Sequence, residues 1–245
     1  MITVRRAAER RHDHRQAQEV WHTFDRGPEA DASADGFAAL AALDESRVPP
    51  GGDIPRQPYH EVEVITYVRE GAVAQEDAMG RSGVVHAGEF QRRTAGRGVP
   101  GRERNASLLD WAHFFQLCLG PRPQGPGPSQ EQRRFSTAQR RGRLCVVVSP
   151  DGRNESLRID QDALMYSALL SPGQHIVHEL SSPRSAWLHL VQGEVTLDGL
   201  VLTAGDGAGI TAERAVSLTA REETEILLVD LGEQRPMAHR AGGVS

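Results

Sequence analysis

The chain has 245 residues, 38% hydrophobic and 25% charged, a composition that suits a globular protein with one large or two modest cores. Its formal charge of -5 and pI near 6.1 exclude a dominant nucleic-acid or anionic-membrane surface, because such binding draws on counterion release at net basic patches. All 28 basic residues are arginine, which excludes Schiff-base chemistry, pyridoxal phosphate attachment and a P-loop, each of which needs a lysine amine.

In chain order, the first residues are charged from Arg5 onward with no apolar run of the kind a secretory signal needs. No later run approaches the apolar length of a bilayer span, so the expected location is the cytoplasm. His12-Asp13-His14 and Trp21-His22 resemble a metal cluster, but they stand in a polar stretch without a regular period and are read as a lead-in rather than ligands. The acidic, small-residue run from Asp25 to Asp35 reads as a loop beside a pocket. Strands are predicted around 37–43, 61–69, 83–86, 89–94 and 111–119, with turns at Pro49-Pro50-Gly51-Gly52, Met79-Gly80 and Gly96 to Gly98. The stretch from Gln57 to Asn105 organises this half: two short alternating strands, with polar residues converging on one face, predict the mouth of a small β-barrel and a ligand within it.

Four prolines among the ten residues from Pro121 to Gln130 cannot sustain a ladder of backbone bonds and mark a linker, placed where an internal duplication into two barrels would put it. Beyond it, apolar runs begin at Leu144, Leu157, Tyr166, His175, Trp187, Val195, Val216 and Ile226 and repeat the style of the first half. His175, His178 and His189 have no carboxylate motif beside them and are read as strand-surface or core residues. Gly205-Asp206-Gly207 has no helix pattern after it and is read as a turn rather than a phosphate cradle. Cys118 and Cys145 lie in apolar runs without CxxC spacing and are expected to be reduced. Arg92-Arg93 and Arg140-Arg141 are read as solvated faces. The expected organisation is all-β with two tandem barrels: a barrel over 1–120, a linker over 121–130, a barrel over 131–233 and a disordered tail over 234–245.

The segments Gly36 to Leu40, Val48 to Gly52, Thr66 to Gly71, Ala87 to Gln91, Gly96 to Gly98 and Asn105 resemble the pirin family, cupins similar to quercetin 2,3-dioxygenases. Weaker similarity covers Trp21 to Phe24, His113 to Gln116, Glu131 to Phe135 and Asp198 to Gly207. The resemblance implies a bicupin of two tandem cupin-type β-barrels, with a metal-binding first barrel and a second barrel without metal. It places the family's four ligand positions, His-Pro-His followed by a histidine and a glutamate, on Gln57, Tyr59, Gly101 and Glu103. Only Glu103 is a good ligand, and a non-haem iron needs roughly three, typically two His and one carboxylate. His60 is a possible substitute, but with Gln57 and Tyr59 facing inward it points outward, and a register slip would turn Val62 and Val64 as well. No metal and no other cofactor is therefore expected.

The chemistry left to such a pocket is acid–base. With Glu103 in an apolar mouth its pKa should rise, fitting it to move protons near neutral pH. Tyr59 would donate a hydrogen bond to a substrate carbonyl, Gln57 would orient it, and Glu63, His113 and Gln116 would complete the binding surface, the last two in the His-x-x-Gln pattern of the family. The expected function is a metal-independent cyclisation, enolisation, dehydration or pericyclic step on a small organic molecule. Two alternatives stand beside it: a non-catalytic partner of a metabolic enzyme or transcription factor, and a dioxygenase with an unusual ligand set. The sequence does not fix the oligomeric state.

Overall fold

The computed structural model describes residues 1–15, 17–24, 36–55, 62–76, 82–95, 101–120 and 129–233. Gln57, Tyr59 and His60, the run from Asp25 to Asp35, most of the Pro121 to Gln130 segment and the tail beyond Glu233 lie outside them. Among the described residues, period-2 sequence becomes two similar barrels, each a seven-stranded sheet facing a four-stranded one.

In the first barrel the large sheet runs Gln130–Arg134, Glu89–Ala95, Val62–Glu70, Ala112–Leu119, Leu40–Val48, Gln18–His22 and Arg11–Arg15, and the small sheet runs Asp53–Ile54, Arg102–Asn105, Ala72–Glu76 and Ser82–His86. The polar stretch read as a lead-in is thus a hairpin, its Arg11–Arg15 and Gln18–His22 strands paired antiparallel, His22 opposite Arg11. Its pattern is weak because the hairpin caps the sheet edge and buries mainly Gln18 and His22. Gly71, at φ +73°, joins the Val62–Glu70 and Ala72–Glu76 strands; a side chain there would meet the Trp111 carbonyl oxygen at 2.4 Å.

The barrels exchange strands. Ile2–Arg5 pairs with Gly207–Ile210 at the edge of the second barrel's large sheet, where Ile2 and Val4 pack on that barrel's own core. Gln130–Arg134, beyond the linker, pairs back onto Glu89–Ala95 of the first barrel. The two barrels therefore do not divide at the Pro-rich segment alone.

Strand parity sets what each face meets. On Ala112–Leu119, Ala112 and Phe114 join the first barrel's interior cluster with Val48, Ile54, Val68, Val73 and Val85, while Phe115, Leu117 and Leu119 join Tyr67, Phe90, Val147, Trp187 and Leu227 in a core between the barrels. On Val62–Glu70 the even residues Val62, Val64 and Val68 turn inward, and Ile65 and Tyr67 face the other barrel. Each buried large apolar side chain contributes about 1.5–3 kcal/mol, so this seam fastens the two barrels to one another.

Candidate functional site: the interior of the first barrel

Registered pairing lays one row of polar residues across the large sheet of the first barrel: His22 opposite Asp44, Asp44 opposite Gln116, Gln116 opposite Thr66, Thr66 opposite Gln91 and Gln91 opposite Gln132. His22, Asp44, Gln116, Thr66 and Gln91 are all buried. A buried polar row in a barrel otherwise filled with valine is a costly feature unless its groups are paired or serve a ligand.

At one end of the row His22 is held from both sides, with Nδ1 2.8 Å from Asp44 Oδ1 and Nε2 3.2 Å from Asp13 Oδ2. Burial pulls its pKa down, but the Asp44 hydrogen bond and the charges of Asp44 and Asp13 outweigh burial, and the imidazole titrates above its ordinary value. A cavity of about 210 Å³ opens here, lined by His22, Gln18, Ser46, Ile54, Gln116 and the arginines of the Arg11–Arg15 strand. Asp13 sits at its rim with a side chain 41% exposed.

Glu103 is placed by the small sheet, where it lies opposite Ile54 and Gln75. It does not sit among apolar side chains as expected: Arg93 donates to Oε1, Gln75 Nε2 approaches the same oxygen at 3.4 Å, and Gln116 Nε2 donates to Oε2 at 3.2 Å. Gln116 therefore lines the cavity and anchors Glu103, and these two sequence-derived residues do come together. Among the described residues the donor set around Glu103 is one carboxylate, two amides and a guanidinium, and with Arg93 presenting a positive charge to that carboxylate these groups do not fit a divalent metal. Among the described residues, no group of three or more His, Cys, Asp and Glu side chains is arranged to hold a metal ion.

Two expected site residues point elsewhere. Glu63, 1% exposed, turns its carboxylate to the backbone N–H of Asp160 in the second half of the chain, which donates at 3.0 Å and 3.2 Å. It lies on the odd face of its strand with Ile65 and Tyr67, toward the other barrel and away from the pocket that the sequence predicts for it. His113 likewise faces the seam, its Nε2 2.8 Å from Glu45 Oε1 and its ring 5.2 Å from Phe115. Burial raises the Glu45 pKa, but the His113 bond and the charges of Arg10, His189 and His113 bring it down to about 2. Only Gln116, on the opposite face of the same strand, reaches the cavity. His22, Asp44 and Asp13 were missed as a site, and the signal was present in the His12-Asp13-His14 and Trp21-His22 cluster.

A family profile described as Pirin matches residues 3–119, and one described as Quercetinase C-terminal cupin domain matches residues 146–231. The quercetin 2,3-dioxygenase of Escherichia coli K12 is 36% identical over 231 residues, covering 94% of this chain and 99% of that protein. The chain belongs to the pirin family. The crystal structure of the bacterial pirin YhhW from Escherichia coli in complex with nickel(II) superposes with a TM-score of 0.87 at 35% identity, covering 96% of this pirin and all of that chain. YhaK from Escherichia coli superposes at 0.74 with 26% identity, covering 88% and 94% of the two chains. The fold of this pirin is the two-domain cupin fold of these relatives. No helix among its described residues is long and apolar enough to cross a membrane.

Proposed function

We propose that this pirin binds a small organic molecule in its first barrel and assists a proton-transfer step on it without a metal, with His22 as the group that holds the proton. The observation that carries this reading is the imidazole fixed between Asp44 and Asp13 at the wall of a cavity that Gln116 also lines. Asp44, buried, orients Nδ1 and favours the charged ring. Asp13, at the rim, can yield Nε2–H to a substrate oxygen, so His22 acts as a general acid toward a carbonyl or hydroxyl. Gln116 supplies a second, neutral hydrogen-bonding group, and Glu103 with Arg93 closes the wall as an ion pair. Tyr59 and Gln57, which stand at two of the family's metal-ligand positions, are taken as a donor to a substrate carbonyl and an orienting group, and an enolisation, cyclisation or dehydration fits the residues present.

The similarity to quercetin 2,3-dioxygenases of Escherichia coli supports a second reading, an oxygen-consuming dioxygenation of quercetin. One experiment separates the two. Protein treated with chelator is titrated with quercetin, and oxygen uptake is followed before and after ferrous iron is added. The proposal expects quercetin to bind in the presence of chelator, His22→Gln to weaken that binding, and iron to cause no oxygen uptake. Iron-dependent oxygen uptake would overturn the metal-free reading and restore the dioxygenase.

A further inference from the structure

The second barrel is closed inside. Ala168, Leu170, Leu188, Val195, Leu218 and Leu228 belong to a continuous buried apolar cluster that fills it. At one end the filling gives way to a cavity of about 280 Å³, whose wall includes Leu164, Tyr166, His178, Arg184 and Asp230. Leu164 and Tyr166 continue the inward-facing even positions of the Ala163–Leu170 strand, and Asp230 continues those of Thr224–Leu231. The cavity is thus the mouth of this barrel.

The polar groups at this mouth are organised around one imidazole. His178 Nε2 is 2.7 Å from Asp230 Oδ2, Arg184 Nε donates to Asp230 Oδ1 at 2.5 Å, and Arg184 Nη1 reaches Asp162 at 2.7 Å. Such a chain of charge-assisted bonds fixes the ring orientation, and in the neutral ring whose Nε2–H donates to Asp230 the other nitrogen, Nδ1, is an acceptor. The Tyr166 ring lies against the imidazole at 4.8 Å, tilted by 56°. Leu164 and Pro150 add apolar wall. The cations of the mouth are already committed, Arg184 to Asp162 and Asp230, and Arg153 to Asp151. Nothing here selects an anion. A structural pair would need neither an acceptor nitrogen at a cavity wall nor an aromatic ring beside it.

We propose that the mouth of the second barrel is a separate small-molecule site, taking a neutral, hydroxyl-bearing ring that lies against Tyr166 and Leu164 and donates its O–H to His178 Nδ1. The site does not depend on the reading of the first barrel.

The test uses phenol as the probe and anisole as its control, identical in ring but unable to donate. Both are titrated into the intact, 15N-histidine-labelled protein, and the His178 ring nitrogens, assigned with a His178→Gln variant, are followed by NMR. A saturable phenol-dependent shift of Nδ1 is expected, with anisole weaker by roughly tenfold, the factor that the loss of one hydrogen bond of about 1.4 kcal/mol produces. Leu164→Trp, which fills the mouth but leaves the His178–Asp230 pair intact, should abolish the phenol response while the bonded Nε2–H signal persists. No saturable shift, equal response to the two compounds, or an unaltered phenol response in Leu164→Trp would each overturn the assignment.

Discussion

His22 and His189 show how two buried histidines of one chain are driven in opposite directions by their neighbours. His22 keeps two carboxylates and titrates above 6.5. His189 is fully buried with neither ring nitrogen hydrogen-bonded; burial and the nearby Arg10 charge outweigh Glu45 and Asp206 and bring its pKa down to about 3. The consequences for stability have opposite sign. The raised His22 contributes stability that is full below about 6.5 and fades as pH rises through its folded value. Asp44→Asn should therefore lower the His22 titration midpoint, read by NMR, and remove that contribution. His189 acts in acid: between about 6.5 and 3 the unfolded chain binds a proton that the folded chain refuses, so stability falls with pH by up to about 1.4 kcal/mol per unit. His189→Leu should flatten the decline between pH 6.5 and 4.5, measured by denaturant titration, a window above that in which the depressed Glu45 begins to protonate.

At the scale of single strands, the alternation of Val62–Glu70 decides which carboxylates face a ligand and which face the neighbouring barrel. Glu63 accepts two contacts from the Asp160 N–H, and removing its buried carboxylate deletes both. Glu63→Ala should destabilise the protein by roughly 1–3 kcal/mol in chemical denaturation while leaving quercetin binding in the first barrel unchanged. A binding loss equal to that of His22→Gln would instead put Glu63 back in the pocket. The Ile2–Arg5 strand works at the same scale. It pairs along the whole of Gly207–Ile210, all four residues of which are buried, and deleting residues 1–5 would uncover that edge. Such a truncation should raise hydrogen exchange in Ser185–Gln192 and Gly207–Ile210 before it does so in the first barrel's sheets.

Across the whole molecule the barrels are joined by an apolar seam with a polar knot inside it. Arg140 Nη1 donates to Tyr67 Oη at 3.0 Å, Glu225 Oε1 at 2.9 Å and Ser167 Oγ at 3.2 Å, and Tyr67 also donates to Glu225. Burial, together with the Glu225 charge, pushes the Tyr67 phenol well above its usual range, so it remains a donor across the working pH range. Arg140 has a side chain 7% exposed, and its removal leaves Glu225 as an under-compensated charge beside Arg69. Arg140→Ala should cost about 3–5 kcal/mol and split a single unfolding transition into two, followed by calorimetry. Retention of one transition at unchanged midpoint would show that the apolar seam alone couples the barrels.

Alternation of apolar and polar residues with Gly and Pro punctuation was enough to read an all-β chain, and the segments from Gly36 to Asn105 carried the family. Period-2 pattern and turn chemistry are local properties, fixed by neighbouring residues. Arg140-Arg141, read as a solvated pair, shows what was not: Arg140 is buried in the seam because a strand from each barrel brings Tyr67 and Glu225 to it. The exchange of terminal strands, the parity that sends Glu63 and His113 to the seam, and the meeting of His22 with Asp44 and Asp13 all depend on which strands pair and at what register. Those pairings join residues far apart in the chain. They are decided by the total apolar area that two closed barrels bury, which no window of sequence contains.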